Sequence, residues 1–443
     1  MKKIGLGIIG LLILGAIYYF TAGATQITAE MKQQVNTQLT SIQKEGFSVQ
    51  NREIKENEEH FVLSFDEPKK IAHFLTRQGV QLGVNDAELL KGLQVGVDVN
   101  YLSDAYSAVS FDMYPVTLPT LLIESSQGSE DKKVLDQIQK MLDKKTFLMH
   151  IAVNKVGTGF KGHMKDINEV LHGEKDVTLI MDGLTFSGDI KDEQMQSVTQ
   201  NLTGLTMHVP DELDMTLSHL ITNYVVTGET PYDYSTHYNI EKVIFDARSD
   251  FNFLLNDVSM KSTSTVKNGL VSGTMHTKTK SMRLTKQGKD FAFDTFVFDI
   301  AANNFNIKAF EKLEHIDVNN EAEMNALLQE LLSKGVTLSI PAFSIKSIGA
   351  EGQKMDGFDL NAKVDIDKSL NIIALENNPM SALSAIDANL NINLSKELFS
   401  IVAQQPQALM ALMLFQPKDV NGKKSYKLDL KDGKLTVNGT PML

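Results

Sequence analysis

A chain of 443 residues with 42% hydrophobic and 22% charged side chains has the make-up of a folded globular body and not of a disordered one. Its formal charge of -12 makes phosphate backbones and anionic lipid surfaces poor partners for the body as a whole. The absence of cysteine excludes disulfides, thiolate metal sites and cysteine nucleophiles.

The first element is apolar on every side. From Ile4 to Phe20 no residue carries a formal charge, and the uncharged stretch extends to Ala24. Gly5, Gly7 and Gly10 spell a GxGxxG fingerprint, with Glu30 twenty residues beyond Gly10. That motif works only between a strand and an amphipathic helix. Met1 to Ile4 are too few for the strand, and LLILGAIYYF has no polar face, so the glycines are guests in a hydrophobic helix. Ala22, Gly23 and Ala24 resemble a signal cleavage site, but the apolar run is longer than the 7–15 residues or so of a cleaved signal and fits the roughly 17–25 of a membrane span. Residues 1–24 are therefore expected to be an uncleaved transmembrane anchor. Lys2 and Lys3 on one flank place the amino terminus in the cytoplasm, and the body is exported.

A helix is expected next over Ile27–Lys44, followed by a chain dominated by two-residue alternation, the signature of strands. Candidates include Phe61–Phe65, Leu93–Tyr101, Phe147–Asn154 and Val177–Gly183, then NIEKVIFD, FAFDTFVFDI, VTLSIPAFSI and FDLNAKVDID. A helix over Glu130–Asp143 interrupts them. A second, NNEAEMNALLQELLSKG, has a capping pair in Asn320 and Glu323, a stripe from Met324 to Leu332, and Gly335 to close it. Ser395–Ala403 and then PQALMALMLF read as a helix broken and restarted at Pro406. The chain closes on a hairpin, Tyr426, Leu428 and Leu430 returning through Asp432–Gly433 to Leu435 and Val437. The fold class is α+β: a transmembrane helix, then an elongated and mostly antiparallel β body with a few packed helices. Its regions are 1–24, 25–220 and 221–443.

The run FNFLLNDVSMKSTSTVKNGLVSGTMHTKTKSMRL, followed by FDIAANNFNIKAFEKL, the SIPAFSIKSIGAEGQKMDGFDLNAKVDI block and DLKDGKLTVNGTPM, resembles the YdgA-like family of bacterial envelope proteins. The resemblance spans about Asn239 to Leu443. It implies single-pass attachment to the inner membrane of a Gram-negative cell and a periplasmic body of unknown function, and it brings no catalytic residues.

Nothing in the chain spells a reaction. There is no GxSxG, no HExxH, and VNGKKS lacks the earlier glycine of a phosphate loop. His163 with His172, or His208 with His219, have no spacing that puts two imidazoles on one helix turn. Asp365, Asp367, Ser369, Asn371 and Glu376 mimic a calcium loop, but Leu370 stands where the sharp turn needs glycine. Tyr232, Tyr234 and Tyr238 are expected on one strand face. No catalytic residue, metal ligand or cofactor is assigned. The one ligand-contacting set is apolar: Leu409, Met410 and Met413, in a segment too apolar to face water and too short to span a bilayer. The expected function is that of a non-enzymatic envelope scaffold or interaction protein held at the inner membrane. Its alternatives are a carrier of lipid or another hydrophobic ligand and, behind that, an envelope hydrolase.

Overall fold

The computed structural model describes residues 28–442 except 78–87, 102–103, 126–127, 192–193, 249–250, 314–319, 351, 373–382 and 406–414. The expected anchor and Leu409, Met410 and Met413 lie outside the described residues. Among the described residues no helix is long and apolar enough to cross a membrane. The body is mostly antiparallel sheet with seven described helices, and it divides into two compact units between Asn223 and Tyr224.

The first unit opens with α1 (Thr28–Lys44), β1 (Phe47–Ile54), β2 (Glu58–Phe65) and α2 (Pro68–Arg77). It continues with β3 (Gln94–Tyr101), β4 (Ser107–Thr117), α3 (Thr120–Ser125), α4 (Ser129–Asp143), β5 (Met149–Asn154) and β6 (Gly159–Met164). Then come β7 (Ile167–Leu171), β8 (Val177–Asp182), β9 (Thr185–Lys191) and β10 (Gln194–Val209), while β11 (Leu213–Val226) contains the division. Each strand from β1 to β6 pairs with its successor, β6 pairs with β9, and β10 pairs along its length with β9 and then β8.

Alternation sends Phe61, Val97, Phe111, Ile151 and Phe160 to a core closed by Leu39 and Ile42 of α1 and Ile71 and Phe74 of α2. Gly162 is required there. A Cβ on it would lie 2.3 Å from the Phe186 ring and 2.4 Å from the His150 carbonyl. Among the described residues the one carboxylate buried with this core is Glu59, which accepts from Arg52 Nε at 2.6 Å and the Tyr101 hydroxyl at 3.1 Å. Arg52 also donates to Asn36, tying the leading helix to the sheet. Burial and the Glu59 carboxylate push the Tyr101 phenol well above its ordinary range.

The second unit continues with β12 (Tyr234–Asp246), β13 (Phe251–Lys267), β14 (Leu270–Lys286), β15 (Lys289–Asn306), α5 (Ile307–Leu313) and α6 (Glu321–Leu332). It ends with β16 (Val336–Ala350), β17 (Gln353–Ile366), β18 (Ile386–Leu394), α7 (Lys396–Val402), β19 (Lys418–Val420), β20 (Lys423–Lys431), β21 (Lys434–Val437) and β22 (Thr440–Pro441). From β12 to β18 every strand is antiparallel to the next, and β20 continues the sheet.

Asn320 caps α6 by accepting from the Glu323 amide, and Leu327 and Leu331 bury against Ala309 and Phe305. The stripe thus serves as core, as its spacing implies. The closing hairpin turns at Asp432 and Gly433, both with positive φ, which is the geometry of the favoured two-residue connection.

One feature of this sheet escapes a period-two reading. Pairing is skipped at a single position in six successive strands, Glu241, Asp257, Lys280, Thr295, Lys346 and Gly357, while the register is the same on both sides. Asp257 and Thr295 are left-handed there, at φ 50 and 54. A left-handed residue in a strand interrupts alternation as a bulge does. The large apolar residues accordingly step by three across this crease: Leu255 to Val258, Phe293 to Phe296, Ile348 to Ile345 and Met355 to Phe358.

Candidate functional site

The two units use phenylalanine differently. Seven phenylalanines of the first unit are buried, whereas none of the thirteen in the second is. All thirteen are half-buried. Register explains where they gather. Phe296 pairs with Ile345, which pairs with Phe358; beside them Phe298 pairs with Phe343, which pairs with Leu360. Phe343 is the hub, edge-on to Phe296, Phe298 and Phe358 with centroids 5.9, 5.6 and 5.0 Å away. Beyond the crease, Phe245, Phe251 and Phe253 make a second cluster. Edge-on aromatic packing favours such groups by roughly 0.5–1.5 kcal/mol per pair. The outcome is a sheet surface whose large apolar side chains keep part of their area open.

Two carboxylates beside these apolar positions are paired. Asp294 accepts from Arg283 at 2.8 Å, Ser347 at 3.0 Å and Lys354 at 3.2 Å. Asp359 accepts from Lys423 at 2.6 Å and from Asn393. The Arg283 guanidinium, helped by Lys354 and Ser347 and opposed by burial, holds the Asp294 carboxyl down at about 2 against an ordinary 3.8. A lowered carboxyl pKa stabilises the fold above the unfolded value, and the stabilisation is lost as pH falls from 3.8 towards 2. Asp294→Asn is expected to cost on the order of 1 kcal/mol at neutral pH, since the partners are solvent-screened, and the difference from wild type should shrink steadily as pH falls towards 2. Urea titrations of both proteins across that window check it.

A second constellation crosses the first unit. On the sheet face opposite Phe61 and Val97, register aligns His60, Asp98, Asp112, His150 and His163 on five adjacent strands. His60 Nδ1 lies 2.6 Å from Asp98, and His150 Nδ1 lies 2.6 Å from Asp112. Asp98 also accepts from Lys145 Nζ at 2.9 Å and the Tyr114 hydroxyl at 3.3 Å. Tyr114 reaches across Gly96, where a Cβ would stand 2.6 Å from its ring. Burial works to raise the Asp98 carboxyl, but Lys145, His60 and Tyr114 outweigh it and hold the group below its ordinary value. Nothing local in the sequence marks this row, because its five members lie on five strands, two of whose four connections run through helices.

The structure disperses the other residues singled out by sequence. His172 pairs with Asp176 at 2.9 Å and His208 with Asp214, so neither histidine joins His163 or His219. Tyr232 precedes β12 and packs edge-on against Phe310, Tyr234 stacks on Tyr224, and Tyr238 pairs with Met260. The expected shared face is thus corrected: a turn separates Tyr232 from the strand. Asp365 is taken by Thr337 and Lys363, and Asp367 accepts from the Ser369 amide, as a strand end and turn require. Glu376 lies outside the described residues. Among the described residues no group of three or more His, Asp and Glu side chains is placed to hold a metal ion.

A family model described as a bacterial protein of unknown function (DUF945) matches residues 129–443. No curated protein and no solved structure matches the chain.

Proposed function

We propose, for a chain that belongs to this bacterial family of unknown function, a non-enzymatic role in binding an apolar ligand at the cell envelope. In this reading the protein is of the YdgA-like type. Residues 1–24 hold it in the inner membrane with its amino terminus in the cytoplasm, and the body works in the periplasm. The observation that carries the proposal is the open aromatic surface around Phe343. The paired residues of that surface, Phe296, Ile345, Phe358, Phe298 and Leu360, offer a ligand contact area but no charge. Hydrocarbon chains suit such a site, since binding there gains roughly 25 cal/mol for each Å² of apolar area removed from water.

The test is native mass spectrometry of the full chain purified in mild detergent, followed by titration with a fluorescent fatty acid. Wild type is expected to carry lipid or to take up the probe saturably. Phe343→Asp should abolish that uptake. Ile300→Asp, two residues along the strand from Phe298 at a position already exposed, should weaken it without lowering the melting temperature by more than a few degrees. A wild-type protein that carries no lipid and takes up no probe would end the carrier reading. Recovery of one stoichiometric protein by crosslinking would then support the scaffold role.

A further inference from the structure

We infer that the His150–His163 end of the titratable row in the first unit is a binding site for a divalent transition-metal ion, zinc or copper. The inference is independent of the apolar surface and rests on three observations. The first is juxtaposition. His150 on β5 and His163 on β6 are direct partners in the ladder, with ring centroids 5.3 Å apart and planes 36° from each other. A tetrahedral ion bound at about 2.0–2.1 Å to one nitrogen of each of two imidazoles sets their centroids about 5 Å apart. The rings already have the separation of a chelating pair.

The second observation is the carboxylate behind the ligand. Asp112, the next member of the row, accepts from His150 Nδ1 at 2.6 Å. That contact places the proton on Nδ1, fixes the ring orientation and leaves Nε2 as the nitrogen that can ligate. A carboxylate, an imidazole and a second imidazole in sequence form the arrangement used by metal-binding histidines.

The third is the contrast with the other end of the same row. His60 and Asp98 form an equivalent pair, but Asp98 is engaged by Lys145, whose ammonium also lies 3.7 Å from the centre of the Tyr114 ring. No second imidazole pairs with His60 or Asp98. A fixed ammonium repels a cation there. At the His150 end, the nearest lysine along β6, Lys161, holds its ammonium 4.0 Å over the Tyr106 ring. Only one end of the row therefore has paired imidazoles beside a carboxylate free of lysine.

Two imidazoles leave the remaining positions of the ion to water, so the site is open and of moderate affinity. Imidazole nitrogen selects zinc, copper and nickel over magnesium and calcium, and copper binds the same ligands more tightly than zinc.

The experiment is titration of the full chain, stripped with a chelator, with Zn²⁺ by calorimetry and with Cu²⁺ by electron paramagnetic resonance. One equivalent of Cu²⁺ is expected to show hyperfine coupling to two imidazole nitrogens. His163→Ala, on an exposed position, should weaken Zn²⁺ binding by at least about 10-fold. Asp112→Asn should weaken it about 10-fold or more and leave two nitrogens in the spectrum, because it positions His150 and does not ligate. His60→Ala and His172→Ala should leave affinity unchanged. Equal affinity of His163→Ala and wild type, or a wild-type protein without saturable binding below about 100 µM, overturns the site, and matched melting curves show whether each variant is folded.

Discussion

Gly357→Ala is expected to lower the stability of the second unit by about 3 kcal/mol, the upper end of what overpacking typically costs. Gly357 is the β17 member of the crease. A Cβ there would stand 1.9 Å from the Ile345 carbonyl oxygen and 2.8 Å from its carbon, and neither is the end of a flexible side chain. Relief would require β16 and β17 to separate where their pairing is already skipped. It would also move the Gly357 carbonyl, which accepts from the Ser395 amide at 3.1 Å, and Asp356, whose carbonyl accepts from the Ser395 hydroxyl at 2.6 Å. Ser395 caps α7, so the strain reaches that helix. Gly204→Ala is the control: nothing lies within 4 Å of its Cβ position, and the change should be within about 0.5 kcal/mol of neutral. Differential scanning calorimetry of both variants measures the contrast.

How much of this was legible depended on whether the determining contact is local. The Asn320 cap, the stripe from Met324 to Leu332, the Ser395 start of α7 and the Asp432–Gly433 hairpin are decided within a few residues, and the structure has each of them. Two long strands, Gln194–Val209 and Leu213–Val226, are absent from the sequence reading: Met195, Val198, Leu202 and Leu205 fall three and four apart, a helix-like spacing, and Leu220–Ile221 and Tyr224–Val226 interrupt the alternation of the second. The crease was invisible because a period-two template breaks when apolar residues step by three. The histidine row was out of reach for a different reason. His60 and His163 are 103 positions apart, and only the summed register of four strand pairs sets them in line. The expected apolar site residues Leu409, Met410 and Met413 rest on local hydrophobicity and lie outside the described residues. The open surface at Phe343 comes from residues read only as strands, since a strand sequence states which side chains share a face and not whether that face is covered.

Coverage is what the last pair of substitutions measures. Phe61→Ala is expected to cost about 3–5 kcal/mol, because Phe61 is fully buried beside Val97 and Leu63 and its removal leaves a cavity that close-packed neighbours cannot fill. Phe343→Ala removes a side chain of the same size and three aromatic contacts. Its ring already touches solvent, so truncation opens a surface recess that water can enter, and the expected cost is about 1–2 kcal/mol. The two variants therefore separate under chemical denaturation although they delete the same atoms. A ligand that occupies the surface adds to the difference: saturation with a bound hydrocarbon chain at 100 times its Kd stabilises wild type by about 2.7 kcal/mol, and Phe343→Ala should lose most of that increment while Phe61→Ala keeps it. Should Phe343→Ala cost as much as Phe61→Ala in the absence of ligand, Phe343 belongs to a closed core and the apolar surface is not a binding site.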